Sequence, residues 1–307
     1  MNAPEKTTTV DCLGLGIIPL DFLVQIPRFP EPGGKVDADS LCVQGGGPIP
    51  NCMVGLRRLG LKTAVVAVVG DDMAGKISIE ELRRERIDTR HIIVKKQPSA
   101  TAYGFIEPEG RRTIALHRKI GIAARDLKLD TYPIPRLVHL DGRDIEATVK
   151  LARWAKKVGA VVSFDIGSVR NDVTSVLPLV DHLVVADAWA FPFTGARSIR
   201  KALQRLHEIT GGTVVITEGT RGASALERAV FDECKAYKVH AVDTTGAGDA
   251  FHVGYIYALL KGMDMPSRLR YGSATAALKC TRPGARGGMP TLSRLNRFLK
   301  GNPVRYA

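Results

Sequence analysis

Two aspartates bracket a turn of small residues in Asp243-Thr244-Thr245-Gly246-Ala247-Gly248-Asp249. The residues that follow, Ala250 to Lys261, carry no proline, place Phe251, Tyr255, Ala258 and Leu259 at helical spacing, and run into Gly262. A helix is therefore expected to begin near Asp249 and to stop at that glycine. The first N–H groups of a helix lack intrahelical acceptors, and the macrodipole adds partial positive charge at the same end. The backbone of Gly246, Ala247 and Gly248 thus forms a site for an anion such as phosphate, with the carboxylate of Asp249 inside it as a base.

A second constellation suits a polyol. In Gly45-Gly46-Gly47-Pro48-Ile49-Pro50-Asn51 the glycines let backbone approach a ligand closely, and the Asn51 amide both donates and accepts. Asp21, after the first expected strand, has the chemistry to accept bonds from two hydroxyls, although a plain surface aspartate fits as well. Asp141 stands at a further strand end beside Arg143, and Asp165 closes another with Arg170 five residues on. Ligands of open α/β sheets collect at such carboxyl ends. A structural salt bridge explains Asp165 and Arg170 equally well. Thr217-Glu218-Gly219-Thr220-Arg221-Gly222, standing alone, reads as a turn after a β-branched strand.

Two motifs are decoys. Gly14-x-Gly16 lacks the third small residue of a dinucleotide fingerprint because Pro19 stands there. Gly70-Asp71-Asp72-Met73-Ala74-Gly75-Lys76 has Walker spacing, but Ile77 cannot ligate magnesium and two aspartates would repel phosphates. A capped helix start is the alternative.

The stretch Asp243 to Phe251 resembles the C-terminal signature of the ribokinase or PfkB-type carbohydrate kinase family, and Gly70-Asp71-Asp72 with Gly75 resembles its N-terminal one. The likeness runs from about Asp11 to Pro290. It implies an ATP-dependent kinase that transfers the γ-phosphoryl group to a carbohydrate hydroxyl. Asp249 would take the hydroxyl proton, and the amides of Gly246, Ala247 and Gly248 would stabilise the group in flight. Asp21, Gly46, Gly47 and Asn51 would hold the sugar, with Asp141, Asp165 and Arg170 alongside, the last two as in members acting on keto-sugars or sugar derivatives. Thr217, Gly219 and Gly222 would pass beneath the nucleotide. The loop Lys279 to Pro290 would close around adenine and a monovalent cation, K+, shared by Asp243 and Thr245. The family's Asn-x-x-Glu, which organises Mg2+, is replaced by Ala186-Asp187-Ala188-Trp189, so Asp187 is expected to supply that carboxylate. A lysine common in the family's glycine loop is Pro48 here, which implies a sugar other than ribose.

Positioning these residues requires an α/β fold. Strands are expected at Val10–Gly16, Thr63–Gly70, Leu137–Asp141, Val161–Asp165, His182–Val185 and Thr213–Thr217, alternating with helices at Ile49–Leu59, Gly75–Glu85, Ile145–Lys157, Ala196–Glu208, Ala250–Lys261 and Ser267–Lys279, as in a mostly parallel sheet flanked by helices. Residues 22–44 and 92–116 break this rhythm and are expected to form a small antiparallel β lid, with a hairpin turn at Pro108-Glu109-Gly110. Residues 1–21, 45–91 and 117–307 make up the ribokinase-like core.

With 307 residues and 45% hydrophobic content the chain can bury a sizeable core. Five cysteines without a Cys-x-x-Cys pair argue against a disulfide framework or zinc site. The net charge of +13 comes from basic pairs scattered through the chain without interleaved aromatics, so no nucleic-acid partner is expected. No apolar run reaches the ~18 residues of a membrane span, and a cytoplasmic protein is expected. The expected partners are a small sugar and ATP, with a homodimer through the β lid. Two rivals stand: a nucleoside kinase, disfavoured by 6% aromatic content, and a non-catalytic sugar or nucleotide sensor, disfavoured by Asp249.

Overall fold

The computed structural model describes residues 10–108, 112–167 and 172–302. The chain begins with β1 (Val10–Leu15), β2 (Leu20–Gln25), β3 (Ser40–Gly45), α1 (Pro48–Arg58), β4 (Thr63–Gly70), α2 (Met73–Arg84), β5 (Asp88–Lys95), β6 (Thr101–Ile106) and β7 (Arg112–His117). It continues through β8 (Pro135–Leu140), α3 (Ile145–Lys157), β9 (Val161–Ile166), β10 (His182–Ala186), α4 (Asp187–Thr194), α5 (Ile199–Thr210), β11 (Thr213–Thr217), β12 (Ala223–Glu227) and β13 (Val230–Cys234). Three helices close it: α6 (Ala247–Leu260), α7 (Met265–Cys280) and α8 (Leu292–Gly301).

Nine strands form one sheet in the order β13-β12-β11-β10-β9-β8-β1-β4-β5, parallel from β11 to β5 and antiparallel at the β12 and β13 edge. Strand β4 shows why helices cover both faces. All its residues are buried, and they alternate between two cores: Ala64, Val66 and Val68 pack with α3 and α5 residues such as Leu151 and Leu206, while Val65, Ala67 and Val69 pack with Met53 of α1 and Val253 of α6. Helix α6 lies between α1 and α7 and is apolar nearly all round, so its position is fixed by burial on every side.

The second sheet has the order β3-β2-β6-β7. Its outer pairs are antiparallel and β2 joins β6 in parallel, so the small sheet is two antiparallel pairs fused along a parallel seam rather than antiparallel throughout. The hairpin turn expected at 108–110 lies largely outside the described residues, but Ile106 faces Arg112 across it. Residues 92–95 belong to β5 and pair with β4 in the large sheet, because Ile92 and Ile93 have that sheet's core to pack into. Cross-strand rows assign the faces of the small sheet: Asp21, Gln44, Ala102 and Leu116 share one face, and Phe22, Val43, Tyr103 and Ala115 the other.

The two decoys resolve as local structure. Strand β1 leads into β2 rather than a helix, and Asp72 caps α2, its Oδ1 accepting from Gly75 N at 2.8 Å. Among the described residues no helix is long and apolar enough to cross a membrane.

Candidate active site

Helix α6 starts at Ala247, two residues earlier than expected, and Asp249 stands in its first turn. Gly246 caps it with φ 75°, in the left-handed region, and a Cβ there would meet the Ala285 Cβ at 2.8 Å. The Ala247 N–H donates to Thr244 O at 3.1 Å. The donors left at the mouth of the turn are therefore Gly246 and Gly248, and the expected set of three amides is reduced to two.

Asp249 is half-buried, and its carboxyl is pushed above the usual range by burial first and by the charge of Asp165 second, with Asn51 and His252 pulling the other way. Asn51 Nδ2 donates to Asp249 Oδ2 at 2.8 Å. The other end of the same amide, Oδ1, accepts from Arg286 Nε at 3.0 Å. Arg286 in turn donates from Nη1 to Glu81 Oε2 at 2.8 Å and from Nη2 to Gly46 O at 3.3 Å, and Glu81 Oε2 also accepts from Gly45 N at 2.7 Å. One buried guanidinium therefore ties Asp249, Asn51 and the glycine loop into a single network.

Asp21 lies against that loop. A Cβ on Gly46 would sit 2.0 Å from Asp21 Oδ2, so only glycine leaves the carboxylate room, and Gly47 with φ 93° turns the chain into α1. Burial raises the Asp21 carboxyl to about 7, opposed by Arg286 and reinforced by Asp249 and Glu81. Asp21, Gly46, Gly47 and Asn51 thus come together beside Asp249.

Two of the expected substrate contacts are engaged elsewhere. Asp141 Oδ2 accepts from Ile17 N at 3.0 Å and its Oδ1 from Arg143 N at 3.1 Å, so its carboxylate stitches the loops after β1 and β8 together. Asp165 is buried with Oδ1 3.2 Å from His252 Nε2, and the His252 ring packs on His139 with centroids 4.9 Å apart. The carboxyl of Asp165 ends up below its usual range: burial acts to raise it, but the pull of His252, with lesser contributions from His139 and Arg143, prevails. Its charge acts on Asp249 through space. Arg170 lies outside the described residues.

A cavity of about 530 Å³ opens on the far side of the turn. Thr217, Gly219 and Gly222 line it together with Phe251 and Ala277, and so do Thr244, Ala247 and Gly248 of the turn. An apolar slot that ends at the turn matches a nucleotide with its phosphates toward Gly248. Asp187 begins α4 beside this loop; its Oδ2 accepts from Arg221 Nη2 at 2.6 Å and its Oδ1 from Ala188 N at 2.8 Å.

Asp243 does not offer a free cation site. Its Oδ1 accepts from Thr245 N at 2.7 Å, its Oδ2 from Gly284 N at 2.7 Å, and its carbonyl from Lys279 Nζ at 2.6 Å. A monovalent cation shared by Asp243 and Thr245 does not fit this arrangement, because an ammonium already sits on the aspartate.

Sequence reading missed Arg286, Glu81, Lys279 and Arg112. Arg112 shares the Asp21 face of the small sheet and lies close enough to lower the Asp249 carboxyl slightly. The alternation of the lid strands was the available signal for it. Nothing local marks Arg286, 235 positions from Asn51.

A family model described as "pfkB family carbohydrate kinase" matches residues 7–292. The chain belongs to the pfkB family of carbohydrate kinases. It is 29% identical to a ribokinase of Haemophilus influenzae, over 96% of this chain and 99% of that one. It is 28% identical to an ATP-dependent ribose-1-phosphate kinase of Halopiger xanaduensis, over 94% and 98%. A solved ribokinase from Thermotoga maritima superposes with a TM-score of 0.84 over 95% of this chain and 99% of that one, at 23% identity. The protein is an ATP-dependent carbohydrate kinase with the ribokinase-like fold.

Proposed function

We propose that this kinase phosphorylates a free sugar or sugar derivative other than a nucleoside, with Asp249 as general base. The observation that carries this reading is the bonded path Asp249–Asn51–Arg286–Gly46, which holds the base and a polyol-binding loop in one rigid unit. Asp21 accepts bonds from two sugar hydroxyls, and Asn51 orients both the sugar and the base. The acceptor hydroxyl lies between Asp249 and the γ-phosphate, and its proton passes to the Asp249 carboxylate as the new O–P bond forms and the bond to ADP breaks. Gly246 and Gly248 N–H groups meet the charge on the transferring phosphoryl oxygens. Arg112, carried by the lid, approaches the same charge when the lid closes.

Mg2+ bound to the triphosphate neutralises its charge. Asp187 fits only as an outer partner through water, because Arg221 and its own helix hold its oxygens.

The lid argues for a sugar without a base. Phe22, Tyr103 and Phe105 all lie on its outer face, whereas the face bearing Asp21 presents Leu23, Ala102 and Leu116, leaving no aromatic of these strands to stack on a nucleobase. The outer face, with Leu41 62% and Tyr103 45% exposed, suits a homodimer through the lid.

Asp21→Asn separates the two substrates. Sugar affinity is expected to fall about 10- to 100-fold, as for a lost charged hydrogen bond of about 1.5–3 kcal/mol, while ATP affinity stays within a few-fold by calorimetry. Equal losses for both ligands would place the sugar elsewhere. The same variant has a pH signature. Because burial raises the Asp21 carboxyl to about 7, the folded state favours its protonated form. That stabilisation is complete below the ordinary carboxylate range near 4 and is lost as pH rises through about 7. Asp21→Asn should therefore melt at a higher temperature than wild type at pH 8 and at a similar temperature at pH 4.

If the lid closes over bound sugar, amide exchange in 20–25, 40–45, 101–106 and 112–117 should slow together on adding the sugar substrate. Unchanged exchange at saturation would show a static sheet.

A further inference from the structure

Lys279 is the one lysine of α7, in its last turn, and it is completely buried. Its Nζ lies 2.6 Å from the carbonyl oxygen of Asp243 and 3.8 Å from Asp243 Oδ2. Asp243 is itself 3% exposed and joins the two segments that frame the nucleotide cavity: its side chain accepts from Thr245 N in the phosphate turn and from Gly284 N in the loop after α7. The backbone returns the bond, Asp243 N donating to Cys280 O at 3.2 Å. An ammonium enclosed at this junction balances a buried carboxylate that would otherwise be uncompensated, and it sits at the negative end of a helix. Of the groups near it, Arg112 is a second cation, whereas Asp243 and Asp249 carry opposite charge.

We propose that the Lys279 ammonium is a built-in monovalent cation, which holds the anion-binding turn in its working shape and makes the enzyme independent of K+. An ammonium and K+ are alike in charge and close in size. Covalent attachment removes the requirement for a dissolved ion. The oxygens that a K+ ion would need from Asp243 are already engaged. Of the two residues expected to share the ion, that leaves the Thr245 hydroxyl, buried without a protein partner, a single neutral ligand and by itself too little to hold a desolvated cation. Lys279 touches neither substrate in this arrangement; it is a positioning residue, acting through Asp243 on Gly246 and Gly248.

The test begins with the unaltered protein. Turnover measured with Mg-ATP in tetramethylammonium, Na+ and K+ buffers of equal ionic strength should agree within about two-fold, and K+ should not raise the melting temperature above the value in Na+, since a specifically bound ion would do so. Saturable activation by K+, or a K+-specific rise in melting temperature, would overturn the proposal. Lys279→Met then keeps the length of the side chain and removes the charge. In tetramethylammonium its turnover should fall on the order of 10²-fold, the size of a misplaced transition-state contact, and K+ or NH4+ should restore most of it saturably. A merely structural lysine would give a defect that small cations do not relieve, and full activity of Lys279→Met in tetramethylammonium would equally refute the assignment. Should Lys279→Met fail to fold, the cation series on the unaltered protein still decides. None of these outcomes depends on which sugar is the substrate, so loss of this proposal leaves the role of Asp249 standing.

Discussion

Asp249→Asn is expected to slow the chemical step by ~10²–10⁴-fold or more while leaving the protein folded and able to bind both substrates. Asparagine has the size of aspartate, and its Oδ1 can keep the bond from Asn51 Nδ2, so the Asn51–Arg286 network survives. What disappears is the acceptor for the hydroxyl proton. The carboxyl is held above its ordinary range by burial and by Asp165, so the neutral amide removes an unfavourable buried charge. Above neutral pH the variant should melt at a temperature no lower than wild type, and ATP should bind at least as tightly because one negative charge near the triphosphate is gone. Single-turnover kinetics beside calorimetry make the check. Retention of most of the activity would mean that another group takes the proton.

Arg286→Ala is expected to damage both fold and site. The substitution leaves the Asn51 carbonyl without its donor, Glu81 without its cation and the Gly46 carbonyl unbonded. Removing one member of a buried ion pair typically costs 3–5 kcal/mol. Glu81 is 28% exposed and keeps its bond from Gly45 N, so a loss of about 3 kcal/mol, at the lower end, is expected in denaturant unfolding. Sugar affinity should fall further than ATP affinity, since the nucleotide cavity lies on the other side of the phosphate turn. Arg286→Lys should rescue little, because a single ammonium cannot serve three acceptors set out around a planar guanidinium. Wild-type stability and sugar affinity in Arg286→Ala would show that the network is incidental.

The contrast between these two residues shows what the sequence made legible. Asp249 was legible as a candidate base because the signal is local: a small-residue turn, a helix start and a carboxylate fall within seven consecutive positions. The core strands were readable for a similar reason, since Thr63–Gly70 is an unbroken β-branched and small-residue run that only a strand buried on both faces can use. The edge strands β12 and β13 were missed because their mixed composition, with charged residues such as Glu227 and Asp232, carries no comparable signal. Helix α4 was missed because Pro192 interrupts it. Arg286 and Lys279 act through partners 235 and 36 positions away, and a loop rich in glycine gives no hint of which of its cations turns inward. The same limit explains Asp141 and Asp165. Their positions at strand ends were read correctly, but the backbone amides and histidine that engage them come from other elements.

The most direct measurement is product formation. The protein, incubated with Mg-ATP and a panel of ketoses, aldoses, sugar acids and nucleosides, should convert at least one sugar to a phosphate ester visible by phosphorus NMR, with one ADP released per ester formed. The Asp249→Asn variant, shown by calorimetry to bind the same sugar, should form almost none in the same time. A protein that binds sugar and ATP but esterifies no member of the panel, or one that phosphorylates nucleosides alone, would contradict the function proposed here.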